Sequence, residues 1–285
     1  MTPEDVALND LRRELDAIDD AIHDVLMRRS TLAEDIRRAK GGNGGPATRP
    51  GREAAILRRL LARHQGAFSP VAIARIWREI MAVMTLQQGP VQAAVCVPPG
   101  DDRTWEIARD HFGTVTPMTA YQNPGAVVRA VSDDNRVFGV LPLPRDDDRD
   151  PWWRYLVSHD DKAPRIFYRI PFVVAEPGPE ALVIGRVPAE ATEQDRSFVV
   201  VETTAEISRA RLVGVLQTAG CDVSFITSWA EGPEAPQRQH LAEVAGFVAP
   251  GDPVLATIAE AAPEAIARVF AIGAYPAPIL VAQGH

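Results

Sequence analysis

Residues 11–40 read LRRELDAIDDAIHDVLMRRSTLAEDIRRAK, and the fold follows from this stretch. Leu11, Leu15, Ile18, Ile22, Val25, Leu32 and Ile36 recur at the alternating four-and-three spacing of one apolar stripe on a helix. The stripe predicts a single long helix, roughly Pro3 to Lys40. One member is replaced: position 29 holds Arg29. Lys40 comes eleven residues later, three turns on and on nearly the same face. Arg12 lies beside Leu11. An arginine in an apolar seam is costly unless it meets an anion. A lone one is usually a structural ion pair or a snorkelling side chain. Arg29 and Lys40 on one face, with Arg12 nearby, argue instead for a buried anion site.

The helix is too long for its own unit. About 37 residues at about 1.5 Å each span about 55 Å, and a helical unit of about 90 residues is much narrower. The far end must pack on something else, most simply a second copy. The length therefore predicts a symmetric homodimer sharing its long helices.

The chain has 285 residues, enough for two or three domains. Its net charge of −8 argues against a nucleic-acid partner. Cys96 and Cys221 stand apart and read as buried apolar residues, with neither metal-ligand spacing nor a disulfide framework. The segment MTPEDVALND is acidic and does not read as a secretory signal. No apolar run approaches the length of a membrane span. These features predict a cytoplasmic protein without a membrane partner.

Within the first 90 residues, Thr2-Pro3-Glu4-Asp5 opens the long helix with a hydroxyl, a proline and two acids. Gly41-Gly42-Asn43-Gly44-Gly45-Pro46 ends it. A second helix is expected from Pro50, with Ile56, Leu57, Leu60 and Leu61 as its apolar face and Glu53 on that face. Ser69-Pro70 starts a third, whose stripe is Ile73, Ile76, Trp77, Ile80, Met81 and Met84. One further turn along, the stripe ends on Gln88. The inward faces thus carry Arg12, Arg29, Lys40, Glu53 and Gln88. Cations, one carboxylate and one amide suit a small dianion that also has a hydroxyl and a neutral oxygen. No nucleophile–base set, metal-ligand cluster or phosphate loop accompanies them. Such a site works by electrostatic stabilisation.

The segments Leu11 to Asp19, Arg28-Arg29, Ala39-Lys40, Arg52-Glu53 and Leu86-Gln87-Gln88 resemble the all-helical class of chorismate mutase over residues 5 to 90. The resemblance implies a three-helix, all-α unit in an interlocked dimer that rearranges chorismate to prephenate without a cofactor or metal. It implies that Arg12 reaches a substrate carboxylate across the dimer, and that Arg29 holds the other carboxylate. Lys40 then binds a carboxylate and the ether oxygen, Gln88 donates to that oxygen, Glu53 accepts from the ring hydroxyl, and Arg52 adds positive potential. Two positions depart from the family pattern: Arg49 stands where an acid is common, and Met84 where a serine is common.

After Gln88-Gly89-Pro90 the pattern changes. Strands are expected at Val91 to Val97, Phe138 to Pro142, Ile166 to Val174 and Ala181 to Gly185, and helices at Thr104 to Phe112 and Gly125 to Val131. Alternating strand and helix implies an α/β unit. From Val199 the order is strand, helix Ser208 to Ala219, strand Cys221 to Ser228, strand His240 to Val248, helix Pro253 to Ile266, and strand Val269 to Pro276. This βαββαβ order is ferredoxin-like. Phe138-Gly139-Val140-Leu141-Pro142, Ala181 to Arg186, Gly220 to Ile226 and Ile272 to Pro276 resemble prephenate dehydratase followed by its ACT domain. Pro179, Glu180 and Ala181 stand where that family has Thr-Arg-Phe, and Pro144-Arg145-Asp146 where it has Glu-Asn-Ser.

The reading is a multidomain chain: residues 1–90 a chorismate mutase domain, 91–192 a truncated dehydratase-like region, and 193–285 an ACT-like domain whose effector the sequence does not identify. The expected activity is that of the mutase, within aromatic amino acid biosynthesis, with a non-catalytic C-terminal half. The alternatives are a bifunctional mutase–dehydratase and a non-catalytic regulatory dimer that senses a ligand.

Overall fold

The computed structural model describes residues 3–39, 48–146, 148–160, 162–188, 190–204, 207–232, 235 and 237–281. Three helices come first: α1 (Pro3–Ala39), α2 (Pro50–Arg63) and α3 (Pro70–Gln88). Their starts follow from the chain chemistry. Proline opens both α2 and α3, and the Ser69 hydroxyl accepts from the Ala72 N–H at 3.1 Å. Lys40 and the glycine run 41–45 lie outside the described residues.

The α/β part begins with β1 (Gln92–Cys96), α4 (Arg103–Phe112), β2 (Met118–Tyr121), α5 (Pro124–Asp133) and β3 (Val137–Pro142). A short 3-10 helix (Trp152–Leu156) leads to β4 (Arg165–Ile170), β5 (Val173–Val174) and β6 (Ala181–Gly185). The last stretch is β7 (Asp195–Thr203), α6 (Arg209–Thr218), β8 (Val223–Trp229), β9 (Arg238–Ala245), α7 (Pro253–Glu260), β10 (Ile266–Pro276) and β11 (Ile279–Leu280). The expected βαββαβ order is present from β7 to β10.

Some boundaries differ from the sequence reading. The helix expected to reach Ile266 stops at Glu260, because Pro263 has no N–H to continue it and Ile266 already opens β10. The run Ile166 to Val174 is two strands, broken at Pro171. The four-residue β2 carried no signal in sequence, since it lies at the sheet edge and is half exposed.

Nine strands form one sheet in the order β2-β1-β3-β6-β4-β10-β7-β9-β8. β1 is parallel to both β2 and β3, β6 is antiparallel to β3 and β4, and β7 to β10 pair antiparallel among themselves. The two halves of the sheet meet where β10 runs parallel to β4, with Gly273 opposite Ile166. The sheet is therefore continuous through both α/β stretches. On one face, α5 and the 3-10 helix cover Leu141, Phe270 and Tyr275 with Trp152, Trp153 and Val127. On the other face, α2, α3 and α4 share a core with the sheet, in which Ala54, Leu57 and Met81 pack with Phe138, Tyr168 and Val183. A third cluster lies under α6 and α7.

Helix α1 stands apart from this body. Of its stripe, Leu11, Leu15, Ile18, Ile22, Val25, Leu32 and Ile36 are all exposed, with Val25 at 62%. Leu26, Arg29, Ser30 and Ala33 are its only partly covered described residues, and Ser30 bonds Gln87 of α3. The face that α1 turns to its own chain thus meets the stripe at Arg29 and otherwise lies one step round from it. Helix α3 is rotated in the same sense. Its buried residues are Ala74, Arg78, Met81, Ala82 and Met84, while Ile76 of the expected stripe is exposed. The alanines let the helix approach the sheet closely.

Gly273 makes the junction of the two half-sheets. Its φ is +156°, and a Cβ there would sit 2.2 Å from the Ile166 carbonyl oxygen and 2.4 Å from the Ile166 nitrogen. Backbone cannot retreat as a side chain can. Gly273→Ala should destabilise the chain by about 2 kcal/mol or more. An unchanged denaturant midpoint would show that β4 and β10 do not make this close approach.

Candidate active site

Between α1, α2 and α3 lies a cavity of about 360 Å³. Its walls bring together Arg29 from α1, Arg49, Arg52 and Glu53 from the start of α2, and Thr85 and Gln88 from the end of α3. Leu32, Ala33, Ile36, Ile56, Met81 and Met84 complete the lining. Four of the six residues singled out in the sequence thus share one cavity. Arg12 does not line it. It sits on the exposed part of α1, about 25 Å along the axis from Arg29 at about 1.5 Å per residue. Lys40 lies outside the described residues.

Among the described residues, neither Arg29 nor Arg52 has a carboxylate partner. Burial, and then the like charge of Arg52, hold the Arg29 guanidinium below its ordinary value. Two cations facing one cavity repel each other until an anion enters between them. The other charges are already met. Arg49 reaches Glu190, with Nη2 2.6 Å and Nε 3.0 Å from the same oxygen. This accounts for the departure at position 49: the arginine serves as a clamp between α2 and the segment before β7. Nearby, Arg58 holds the same segment by donating to the Thr192 hydroxyl at 3.1 Å and the Gln194 carbonyl at 2.9 Å, and holds the chain just after β10 through the Ala277 carbonyl at 3.1 Å.

Glu53 is partly buried and accepts three hydrogen bonds. Its Oε1 accepts from the Thr48 hydroxyl at 2.6 Å, and its Oε2 from Arg78 Nη1 at 2.7 Å and Tyr168 OH at 2.9 Å. Gln88 Nε2 makes a long bond of 3.3 Å to the Met84 carbonyl and is available to a better acceptor. Thr85 was not singled out in the sequence. It puts a hydroxyl on the cavity wall one residue from Met84, where the family's serine is missing. The α3 stripe gave no sign of it, because Thr85 lies beside the stripe and not on it. Arg78 and Tyr168 were missed as well. Arg78 follows Trp77 in an apolar helix, and Tyr168 sits in a strand 115 residues from Glu53.

The arrangement can hold a small dianion on Arg29 and Arg52, accept a hydroxyl at Glu53 and donate to a neutral or developing oxyanion from Gln88. Among the residues lining the cavity, no nucleophile is hydrogen-bonded to a base. The chemistry it supports is orientation and charge stabilisation.

Residues 11–89 match the family model described as Chorismate mutase type II, a span that holds every residue assigned to this site. A bifunctional chorismate mutase/prephenate dehydratase from Pseudomonas aeruginosa is 31% identical over 144 residues, covering 48% of this chain and 38% of that protein. A protein of the same description from Neisseria gonorrhoeae is 34% identical over 102 residues, covering 36% of this chain and 27% of that protein. The chain thus spans less than half the length of these relatives. Among solved structures, prephenate dehydratase from Streptococcus mutans is similar at a TM-score of 0.47 and 12% identity, covering 67% of this chain and all of that one.

A small dicarboxylate at millimolar concentration should raise the melting temperature of this protein by mass action, through the Arg29–Arg52 pair. Arg29→Ala and Arg52→Ala should each lose most of that shift. An equal shift in the wild type and both variants would mean that the two guanidiniums do not form the anion site.

Proposed function

We propose, from the premise that residues 11–89 are a chorismate mutase type II domain, that this protein converts chorismate to prephenate for aromatic amino acid biosynthesis. The observation that carries the reading is the convergence of Arg29, Arg52, Glu53 and Gln88 on one cavity within that domain. The reaction is an intramolecular rearrangement in which one C–O bond breaks as one C–C bond forms. No group need be added or removed. Arg29 and Arg52 hold the substrate's carboxylates and fold its enolpyruvyl arm over the ring. Gln88 donates to the ether oxygen as negative charge gathers there, and Glu53 fixes the ring hydroxyl. Lys40, which lies outside the described residues, is assigned by the family resemblance to the ether oxygen and to one of the substrate's carboxylates. Orientation and complementary charge together account for the rate.

The site is completed by a second copy of the chain. The uncovered stripe from Leu11 to Ile36 is too long and too apolar to stay in water, and an antiparallel partner helix would cover it. That partner brings its own Arg12 to the substrate, which agrees with the distance between Arg12 and Arg29 along one helix.

The C-terminal half is read as a dehydratase-like sheet followed by an ACT-type module from β7 to β10, without dehydratase activity. Glu180 stands where that chemistry uses an arginine. It is held by Arg169, with bonds of 2.7 and 3.2 Å. The objection to dehydration is then less that Glu180 repels an anion, since its charge is met. Arg169 is spent on Glu180 and on Glu243, at 3.2 Å, and no longer offers a cation to substrate.

Purified protein should consume chorismate and form prephenate. Arg12→Ala and Arg29→Ala chains should each lose at least about a hundredfold in kcat/KM. Refolded together, they should regain part of the activity, because one site of each mixed dimer is intact. Proven heterodimers with no recovery would show that each chain builds its own site. A separate measurement concerns the second half: supplied with prephenate at neutral pH, the protein should form no phenylpyruvate above the blank. Enzyme-dependent phenylpyruvate would establish the bifunctional reading.

A further inference from the structure

Glu53 lines the cavity with one end and meets the C-terminal sheet with the other. Its Oε2 is held by Arg78 of α3 and by Tyr168 of β4. Tyr168 OH has a single proton, placed between Glu53 Oε2 at 2.9 Å and the Pro50 carbonyl at 3.1 Å. The two contacts fix both the side chain and the first turn of α2.

Arg78 is itself buried, at 5% exposure, with its guanidinium 5.1 Å from the Tyr168 ring centre and 5.9 Å from that of Phe172. His111 packs edge-on against the same Tyr168 ring at 4.7 Å. A cation in this aromatic surrounding requires a carboxylate, and Glu53 is the one it has. Burial, and then the charge of Glu53, push the Tyr168 hydroxyl well above its ordinary value, so it keeps its proton and remains a donor.

A carboxylate offers about four acceptor positions. Arg78 and Tyr168 take the two on Oε2, and Thr48 takes one on Oε1. One position on Oε1 is left for a ligand hydroxyl. We infer that Arg78 and Tyr168 are positioning residues for Glu53, so that the sheet of the C-terminal half sets the geometry of the helical site. The inference rests on the mutase reading and deepens it. It gives the C-terminal half a part in that site: one of its strands supplies a hydroxyl to a residue that touches substrate.

The test is a double-mutant cycle in the full chain, reading kcat/KM for chorismate. Tyr168→Phe should cost about tenfold, the scale of one hydrogen bond to a charged group. Glu53→Gln should cost more. The double variant should match Glu53→Gln within about twofold, because the effect of Tyr168 on turnover is inferred to pass through Glu53. Losses that multiply, or wild-type kinetics in folded Tyr168→Phe protein, would overturn the inference while leaving the mutase reading in place. If Tyr168→Phe fails to fold, Arg78→Lys takes its place in the same cycle, with the same two outcomes. A wild-type chain that does not turn over chorismate would remove the mutase reading and this inference with it.

Discussion

A guanidinium buried among aromatic rings must be met by an anion, and in this chain that requirement ties the helices to the sheet. Arg78 of α3 lies between Tyr168 and Phe172, and Glu53 of α2 neutralises it at 2.7 Å. Removing one partner of such a pair leaves a charge without compensation, at about 3–5 kcal/mol. The rest of the helix–sheet contact is built around this pair: Ala54, Leu57 and Met81 share an apolar core with Val183 and Ile170. Arg49 and Arg58 extend the contact to the segment before β7. Glu53, Arg49 and Met81, which line the cavity, are therefore among the groups that hold the two parts of the chain together.

Helix α1 answers to a different constraint. It has no such anchor, and its apolar stripe faces outward along most of its length. Apolar side chains in a continuous row are stable in water only when something covers them. One helix thus presents two faces with separate tasks. The face of Arg29 and Ala33, with the edge of the stripe at Leu32 and Ile36, closes a cavity within the chain, and the rest of the stripe lies uncovered. Among the described residues, no helix is long and apolar enough to cross a membrane.

The sheet shows how one set of strands is reused. β4 carries Arg169, Glu180 stands just before β6, and β9 and β10 carry Glu243 and Tyr275. All four side chains meet across the junction of the half-sheets, where the Tyr275 hydroxyl and Arg169 both donate to Glu243. Hydrogen bonds to Glu180 and Tyr275 more than offset the burial of Arg169 and raise its guanidinium above the ordinary value. A position where the dehydratase pattern expects a cation for substrate is thus part of the structure that joins β4 to β10.

Much of this was legible in the residues. The stripe and the two Pro-initiated helices followed from local periodicity and capping, which depend on neighbours three and four positions away. The βαββαβ order followed from alternating runs, Arg29, Glu53 and Gln88 were placed on inward faces by helical spacing, and Arg52 was added by the family resemblance. What the sequence could not determine is which face of each helix turns inward, since that depends on partners distant in the chain. Ile76 is more apolar than Ala74, yet Ala74 is buried because the sheet needs a close approach there. Nor could it show that Arg78 and Tyr168 converge on Glu53, or that Gly273 joins two half-sheets into one. Those contacts bridge residues 25 to 115 positions apart, and no local pattern encodes a pairing that only the packed core brings within hydrogen-bond distance.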